Sequence, residues 1–456
     1  MKEAKNKCLA KIDRFFSISK RGGTFGREFL GGLVNFLVMS YIAILVPSLL
    51  SGMIGSELYN ALFLGTILSV VTATLAMGIY GNLPIVLAPG LGVVTYLISL
   101  VQAGKYTYPQ VLTISLIAGV IFIIVTVSGV RDKIIAGMPA IIKTSMGVGI
   151  GMFIASIGLN SDNSHILDFL SGNFSKEVIL AAVVAIFGLF VMLILKHYKI
   201  RSNIFIGMLS AIVLDIIIKA CMGVNAFAGL SEAWGSDFST YGGNFFNFDF
   251  VGIFSGGAVH VFTTILVIFS FFLVDMFDTL GTLYSVCKQG NLYDEHGNMI
   301  NVKRAMIVDS SSSVVAALFG LPTCTSFVES ASGISSGAKT GLASIVTGLC
   351  FVLMLGLSPL LSLIPLYVTA PALIYVGMLM LSDVVNLDLS NFTNLATSMA
   401  TIIIMPLTGN ITYGIAAGMI IHTVLQVCAG KYKEVNVFTY IVTILFIIFF
   451  ATQGLV

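Results

Sequence analysis

From Gly31 to Ala451 the sequence is a succession of apolar runs, most of them near the ~20 residues that an α-helix needs to cross a bilayer. This pattern leaves little freedom of fold, because only helices and closed barrels satisfy every backbone group inside lipid. Of the 456 residues 57% are hydrophobic and 10% charged, and the mean hydropathy is +1.01. So few charges cannot cover a water-soluble surface of this size, and the chain reads as an all-α polytopic membrane protein. A net charge of +2 gives no reason to expect nucleic acid as a partner. Cys8, Cys221, Cys287, Cys324, Cys350 and Cys428 are scattered without paired spacing. They read as small apolar fillers, neither disulfides nor metal ligands. The stretch Met1–Glu28 is polar and basic and shows no cleavable signal.

Spans are expected near Gly31–Ser51, Ala61–Tyr80, Pro84–Val101, Val111–Gly129, Ile141–Leu159, Val178–Leu195 and Ile204–Met222. A second set follows near Val261–Val286, Ala305–Gly320, Pro322–Ser336, Leu342–Leu361, Pro371–Val385, Ile411–Cys428 and Val437–Ala451. That divides the chain into a cytoplasmic segment 1–28, a first seven-span half 29–222, an extracellular connection 223–257 and a second seven-span half 258–456. The short run Leu395–Leu407, with Pro406 near its end, reads either as a re-entrant half-helix or as a further crossing. Lys2, Lys5, Lys7, Lys11, Arg14, Lys20, Arg21 and Arg27 face three acids in the first 28 residues, so the N-terminus is expected in the cytoplasm. Arg131, Lys133, Lys196, Arg201, Lys288, Lys303, Arg304 and Lys339 then also fall inside, whereas Lys431 and Lys433 do so only if Leu395–Leu407 crosses.

The two halves share punctuation. Gly81-Asn-Leu-Pro84 opens the third span and Gly320-Leu-Pro322 the tenth; Met138-Pro-Ala140 opens the fifth and Ala370-Pro-Ala372 the twelfth. The prolines stand 238 and 232 residues apart. An odd number of spans per half inverts the second copy, as in the inverted repeats of secondary transporters. Both Pro84–Gly92 and Pro322–Gly333 begin with a proline and continue with glycines or small hydroxyl residues, which predicts an extended stretch followed by helix. Non-helical backbone at membrane depth is tolerated only inside protein or around a cavity. Its free N–H groups and half-helix N-termini can then bind a polar ligand. Moved by 238, Glu329 lands on Leu91, so the two breaks are expected to face each other.

Carboxylates sit beside these breaks. Asp275 and Asp278 lie in Phe271-Phe-Leu-Val-Asp-Met-Phe-Asp-Thr-Leu-Gly-Thr282, three residues apart on one helix face. A charge at that depth costs about 2.5–3.5 kcal/mol on insertion scales, so it is expected to serve an ion, a proton or a polar substrate. Asp309 reads equally as a flanking acid near Arg304 and as a functional one. Asp215 and Lys219 read as a satisfied intramembrane pair, and His260 and His422 as interfacial or packing residues.

With these residues assembled, the chain resembles the nucleobase–cation symporter-2 family, specifically its azaguanine-resistance-type purine permeases. The resemblance runs from Asp13-Arg-Phe-Phe16 to about Val427. It rests on Ala88-Pro-Gly-Leu-Gly92, Ser145–Ala155, Phe271–Thr282, Val328-Glu-Ser-Ala-Ser-Gly333, Lys339-Thr-Gly-Leu342, Ser358–Leu373 and Met405-Pro-Leu-Thr408. It implies fourteen spans in two inverted seven-span repeats, with a core domain (spans 1–4 and 8–11) and a gate domain (spans 5–7 and 12–14). It also implies proton-coupled uptake of a purine nucleobase across the cell membrane, without a cofactor, and a homodimer formed through the gate. The family's substrate acids map onto Asp275 and Glu329, with Val328 beside the latter. Asp278 and Asp309 map onto acids that matter for transport, and Gly90, Leu91 and Gly92 onto backbone bordering the ligand. Two positions depart from the family pattern. Val94 replaces an asparagine that approaches the base, with Thr95 the adjacent hydroxyl, and Val46-Pro47 replaces the common Asn-Pro.

Guanine offers a carboxylate two adjacent donors, N1–H and the exocyclic amine, whereas hypoxanthine offers one; adenine presents an acceptor beside its amine. Glu329 is therefore expected to favour 6-oxopurines slightly, with Asp275 at the opposite edge of the base or fixing a water in the site, and Asp278, Asp309 and Glu329 are the candidates for proton coupling. Other readings fare worse. An anion carrier of the same architecture would not crowd acids into its site, and a channel has no need of mirrored breaks. An intramembrane aspartyl protease needs its two aspartates on facing helices. No Gly-x-x-x-x-Gly-Lys-Ser/Thr loop is present for ATP-driven transport.

Overall fold

The computed structural model describes residues 10–129, 139–159, 164–200, 203–223, 244–293, 299–357, 365–408 and 411–453. Arg131, Lys133 and Arg201, Ser358 and Pro359, and residues 224–243 of the expected connection lie outside these. The first half comprises α1 (Phe25–Met39), α2 (Ile42–Ile54), α3 (Tyr59–Ala76), strand β1 (Leu87–Ala88), α4 (Leu91–Gln102), α5 (Tyr108–Ser128), α6 (Ala140–Leu159), α7 (Lys176–His197) and α8 (Asn203–Cys221). The second comprises α9 (Gly257–Gly290), α10 (Val302–Leu318), strand β2 (Thr325–Ser326), a short helix Ala331–Ser335, α11 (Gly341–Leu353), α12 (Leu366–Leu381), α13 (Phe392–Thr408), α14 (Ile411–Cys428) and α15 (Val437–Gln453).

Local chemistry sets the helix ends. Thr107 caps α5 in a reciprocal box with Gln110, Pro109 occupies the first turn, and Gly129, at φ 73°, ends the helix. Ser175 caps α7 through the Val178 N–H (3.3 Å). Among the described residues, eight helical stretches are long and apolar enough to cross a membrane. The run Leu395–Leu407 lies inside α13, which folds back against α14: a Cβ placed on Gly418 would collide with Thr401, and one on Gly414 with Met405. The chain is a multi-pass membrane protein.

The helices pack in two groups. In the first, α5 packs on α9 and α10, α11 on α1 and α3, and the short helix Ala331–Ser335 on α1. In the second, α12 and α13 pack on α6, α7 on α8 and α12, and α15 on α14. Small residues allow close approach, as in membrane helix pairs generally; a Cβ on Gly151 of α6 would stand 2.9 Å from the Gly377 carbonyl of α12. Between the groups, α2 touches α12 and α4 touches α6.

The segments Pro84–Gly92 and Pro322–Gly333, termed the third and tenth breaks after the spans expected there, each carry a short strand between helices. β1 and β2 pair antiparallel, Leu87 with Ser326 and Ala88 with Thr325. A shift of 238 carries Leu87 to Thr325 and Ala88 to Ser326, so the offset that relates the two prolines maps this pairing onto itself. After β1, the 12 residues of α4 rise about 18 Å, little more than half the hydrocarbon thickness. At Gly90 the strands meet without room for a side chain, since a Cβ there would lie 2.7 Å from the Thr325 methyl.

Candidate functional site

Breaking a helix inside a membrane protein frees backbone groups that lipid cannot satisfy. Here neighbouring side chains take them up one by one. At the third break, Thr74 bonds both the N–H and the carbonyl of Leu87 (3.1 Å each). Ser344 reaches the Leu83 and Ile85 carbonyls (2.8 and 3.0 Å), and the Val86 N–H donates to the Ser330 hydroxyl (2.9 Å). At the tenth, Ser115 donates to the Pro322 carbonyl, Ser312 and Ser313 to that of Cys324 (2.8 and 3.1 Å), and Tyr108 to that of Gly320 (2.8 Å). Asn35, fully buried on α1, spans both breaks. It accepts from the Gly333 N–H (2.9 Å) and donates to the Pro84 carbonyl (3.4 Å).

The acids divide into two kinds. Asp309, fully buried on the second turn of α10, accepts from the Ser326 N–H and hydroxyl (2.8 and 2.7 Å) and from Thr279. Thr279 also meets the Thr325 hydroxyl (2.9 Å). Asp309 is thus no flanking residue: it holds β2 against α9. Asp275, 1% exposed, accepts from Ser313 (2.8 Å) and Thr323 (3.2 Å), so each of its oxygens is engaged by the wall of the tenth break. Glu329 and Asp278 are less committed. Glu329 sits in the 3-10 turn Val328–Ser330, half-buried, and its carboxylate receives a long side-chain bond from Tyr41 (3.5 Å), where the chain turns between α1 and α2. Asp278 is half-buried and makes no hydrogen bond among the described residues; its neighbour in sequence, Thr279, donates to Asp309.

The third break contributes differently. Gly90 caps α4 without a side-chain bond, and the first intrahelical bond runs from Val94 N–H to the Gly90 carbonyl (2.8 Å). Gly92 abuts Ile150 of α6, where a Cβ would lie 2.6 Å from the isoleucine methyl. Leu91 and Val94 are buried. The Thr95 hydroxyl bonds back to the Leu91 and Gly92 carbonyls (2.8 and 3.0 Å), so its proton is used within its own helix. Sequence reasoning missed Tyr41, Asn35, Thr279, Ser313, Thr323 and Ser326. Serine and threonine are frequent throughout the spans, and only the tertiary register shows which of them face an acid.

Elsewhere the picture is structural. Asp215 pairs with Lys219 (2.8 Å) and accepts from Tyr367 (2.8 Å). His260 lies tilted against Tyr106, with ring centroids 5.5 Å apart. Arg304 lies over the Tyr80 ring, 5.7 Å away. A cavity of about 240 Å³ lined by Pro139, Thr144, Asp388, Asn394 and His422 involves none of the acids at the breaks. Among the described residues no cluster of three or more His, Cys, Asp or Glu is arranged to hold a metal ion.

Known proteins resemble the chain over nearly its whole length. The chain is 34% identical over 449 residues to the guanine/hypoxanthine permease PbuG of Bacillus subtilis, covering 96% of this chain and 98% of the relative. It is 32% identical over 442 residues to the adenine permease AdeP of Escherichia coli, covering 96% and 95%. Among solved structures, the transmembrane domain of a cyanobacterial bicarbonate transporter, BicA, shares the fold. Its TM-score is 0.58 at 14% identity, over 86% of this chain and 97% of that one. Such a likeness speaks to architecture alone. The model of the Permease family matches residues 26–417, through both breaks and all four acids, and the chain belongs to that family.

Proposed function

We propose that the protein takes up purine nucleobases in symport with protons, guanine and hypoxanthine ahead of adenine, by alternating access across the cell membrane. The observation that carries the reading is the acid cluster at the paired breaks, in a chain whose full-length relatives include permeases named for guanine, hypoxanthine and adenine. Glu329 is the acid with capacity to spare. Its carboxylate accepts from N1–H and, in guanine, from the exocyclic amine. Asp275 serves the opposite edge of the base through the Ser313 and Thr323 hydroxyls it orients. The backbone of Gly90, Leu91 and Gly92, with Val94 and Thr95 beside it, and the backbone of Val328 complete the enclosure. Asp278, which makes no hydrogen bond among the described residues and lies one turn from Asp275, exchanges the coupled proton, and Asp309 keeps β2 in place while it does so.

On this reading the first packing group is the core and the second the gate, in a fourteen-span, twofold-inverted arrangement with the N-terminus in the cytoplasm. The symmetric register of β1 and β2 supports the inversion. Movement of the core against the gate then exposes the site to each side in turn, and a homodimer through the gate would anchor that motion. The test is uptake of radiolabelled guanine, hypoxanthine and adenine into proteoliposomes with and without an inward proton gradient, with xanthine and uracil as competitors. Gradient-driven accumulation of 6-oxopurines is expected. Uptake indifferent to the gradient would refute the coupling, and no uptake of any base would refute the substrate.

A further inference from the structure

Two residues ahead of the proline that opens each break, the chain takes a left-handed turn, at Asn82 (φ 47°) and at Gly320 (φ 77°). The 238-residue offset relates these two positions as well. Each turn is held by the segment that leads into the first long helix of its half. Asn244, ahead of α9, donates to the Gly320 carbonyl (3.1 Å), and Arg21, ahead of α1, to the Asn82 carbonyl (2.7 Å). The Arg21 end reaches further. The same guanidinium nitrogen donates to the Lys339 carbonyl (3.0 Å), beyond the short helix that follows Glu329. Glu28, fully buried in the first turn of α1, accepts from the Lys339 and Thr340 N–H groups (2.9 and 3.2 Å). The Asn82 side chain accepts from the Gly341 N–H (2.9 Å) and donates to the Phe16 carbonyl (3.0 Å). Phe16 and Ile18 are buried, which fixes this segment in place. The entrance of the third break and the far end of the tenth are therefore tied together by residues at and ahead of the start of α1.

We propose that Arg21 is a positioning residue for the substrate site: acting through Asn82 and Lys339, it fixes the separation of the two breaks and so the placement of Glu329 against Gly90–Gly92. This rests on the nucleobase reading above. The contribution is preorganisation, since walls already held at the right spacing need no ordering when the base arrives. A segment that precedes the first membrane-spanning helix thereby sets base affinity without touching the base. In the inverted arrangement proposed above, Asn244 is its counterpart at the other end.

The test uses full-length protein in detergent: wild type, Arg21→Gln and, as a second variant, Asn82→Gly. The second matches the residue at Gly320, so it keeps the left-handed turn and removes only the side-chain bonds. Guanine and adenine affinities are measured by calorimetry, which reads the dissociation constant of the folded fraction, alongside the melting temperature. In Arg21→Gln, guanine is expected to bind about tenfold more weakly and adenine to change less than about threefold, because the two-donor contact of guanine depends most on where Glu329 stands. Guanine affinity within twofold of wild type, or equal losses for both bases, would overturn the proposal and leave Arg21 a structural anchor, whatever the melting temperature. If Arg21→Gln fails to fold, Asn82→Gly decides by the same criterion. If folded wild-type protein bound no purine, the nucleobase reading itself would fall and take this positioning role with it.

Discussion

The third and tenth breaks are built on one backbone plan and carry opposite chemistry. Both start at a proline, both run two residues of strand, and they pair in a register that is symmetric under the 238-residue offset. Around Leu87–Gly92 the third break offers glycines, aliphatic side chains and backbone N–H groups. Around Thr323–Glu329 the tenth offers hydroxyls and a carboxylate, backed by Asp275 and Asp309 from α9 and α10. Where one copy has Leu91 the other has Glu329. On the proposed function, symmetry sets where the site lies and its loss decides what the site can bind: one break supplies space, the other supplies directed polar groups.

That contrast can be broken most severely at Asp309. In Asp309→Ala the Ser326 N–H and hydroxyl and Thr279 lose their common acceptor, and orphaned buried donors cost about 1–3 kcal/mol each. Loss of uptake together with a large fall in the detergent melting temperature is expected. Asp309→Asn should recover most of the stability, because the amide oxygen can still face Ser326 and the Thr279 hydroxyl can turn its proton toward Thr325. Melting curves and uptake of both variants side by side check this.

A smaller effect is expected where the breaks touch. Gly90→Ala drives a methyl toward the Thr325 side chain and forces β1 from β2, a strain of about 1–3 kcal/mol typical of overpacking. Base affinity should drop several-fold, with the protein still folded. The smallest effect belongs to the aliphatic side of the comparison. Leu91→Met keeps volume at a position that supplies only backbone, so uptake within twofold of wild type and a melting temperature little changed are expected. A strong loss there would mean that the third break does more than enclose.

Much of this was legible in the sequence. The prolines and glycines at Pro84–Gly92 and Pro322–Gly333 announced both breaks, because few residues explain so much irregular backbone at membrane depth. The acids announced themselves by their cost in lipid. The division of labour among them did not, since it depends on which hydroxyls the fold brings to each carboxylate: Ser313 and Thr323 to Asp275, Thr279 and Ser326 to Asp309. Leu395–Leu407 stayed ambiguous for a related reason. Its packing against α14 shows in the close approach of Gly414 and Gly418 to Met405 and Thr401, which no local pattern encodes.

The account turns on Glu329 recognising paired donors. A glutamine in its place keeps one acceptor and presents one donor, the pattern that complements the acceptor-and-amine edge of adenine. The decisive measurement is the affinity of purified wild type and Glu329→Gln for guanine and adenine. Guanine should weaken by tenfold to a hundredfold, the roughly 1.5–3 kcal/mol of a charged hydrogen bond, while adenine holds or improves, so that preference inverts. Equal losses for both bases, or guanine binding left unchanged, would contradict the assignment of recognition to the tenth break.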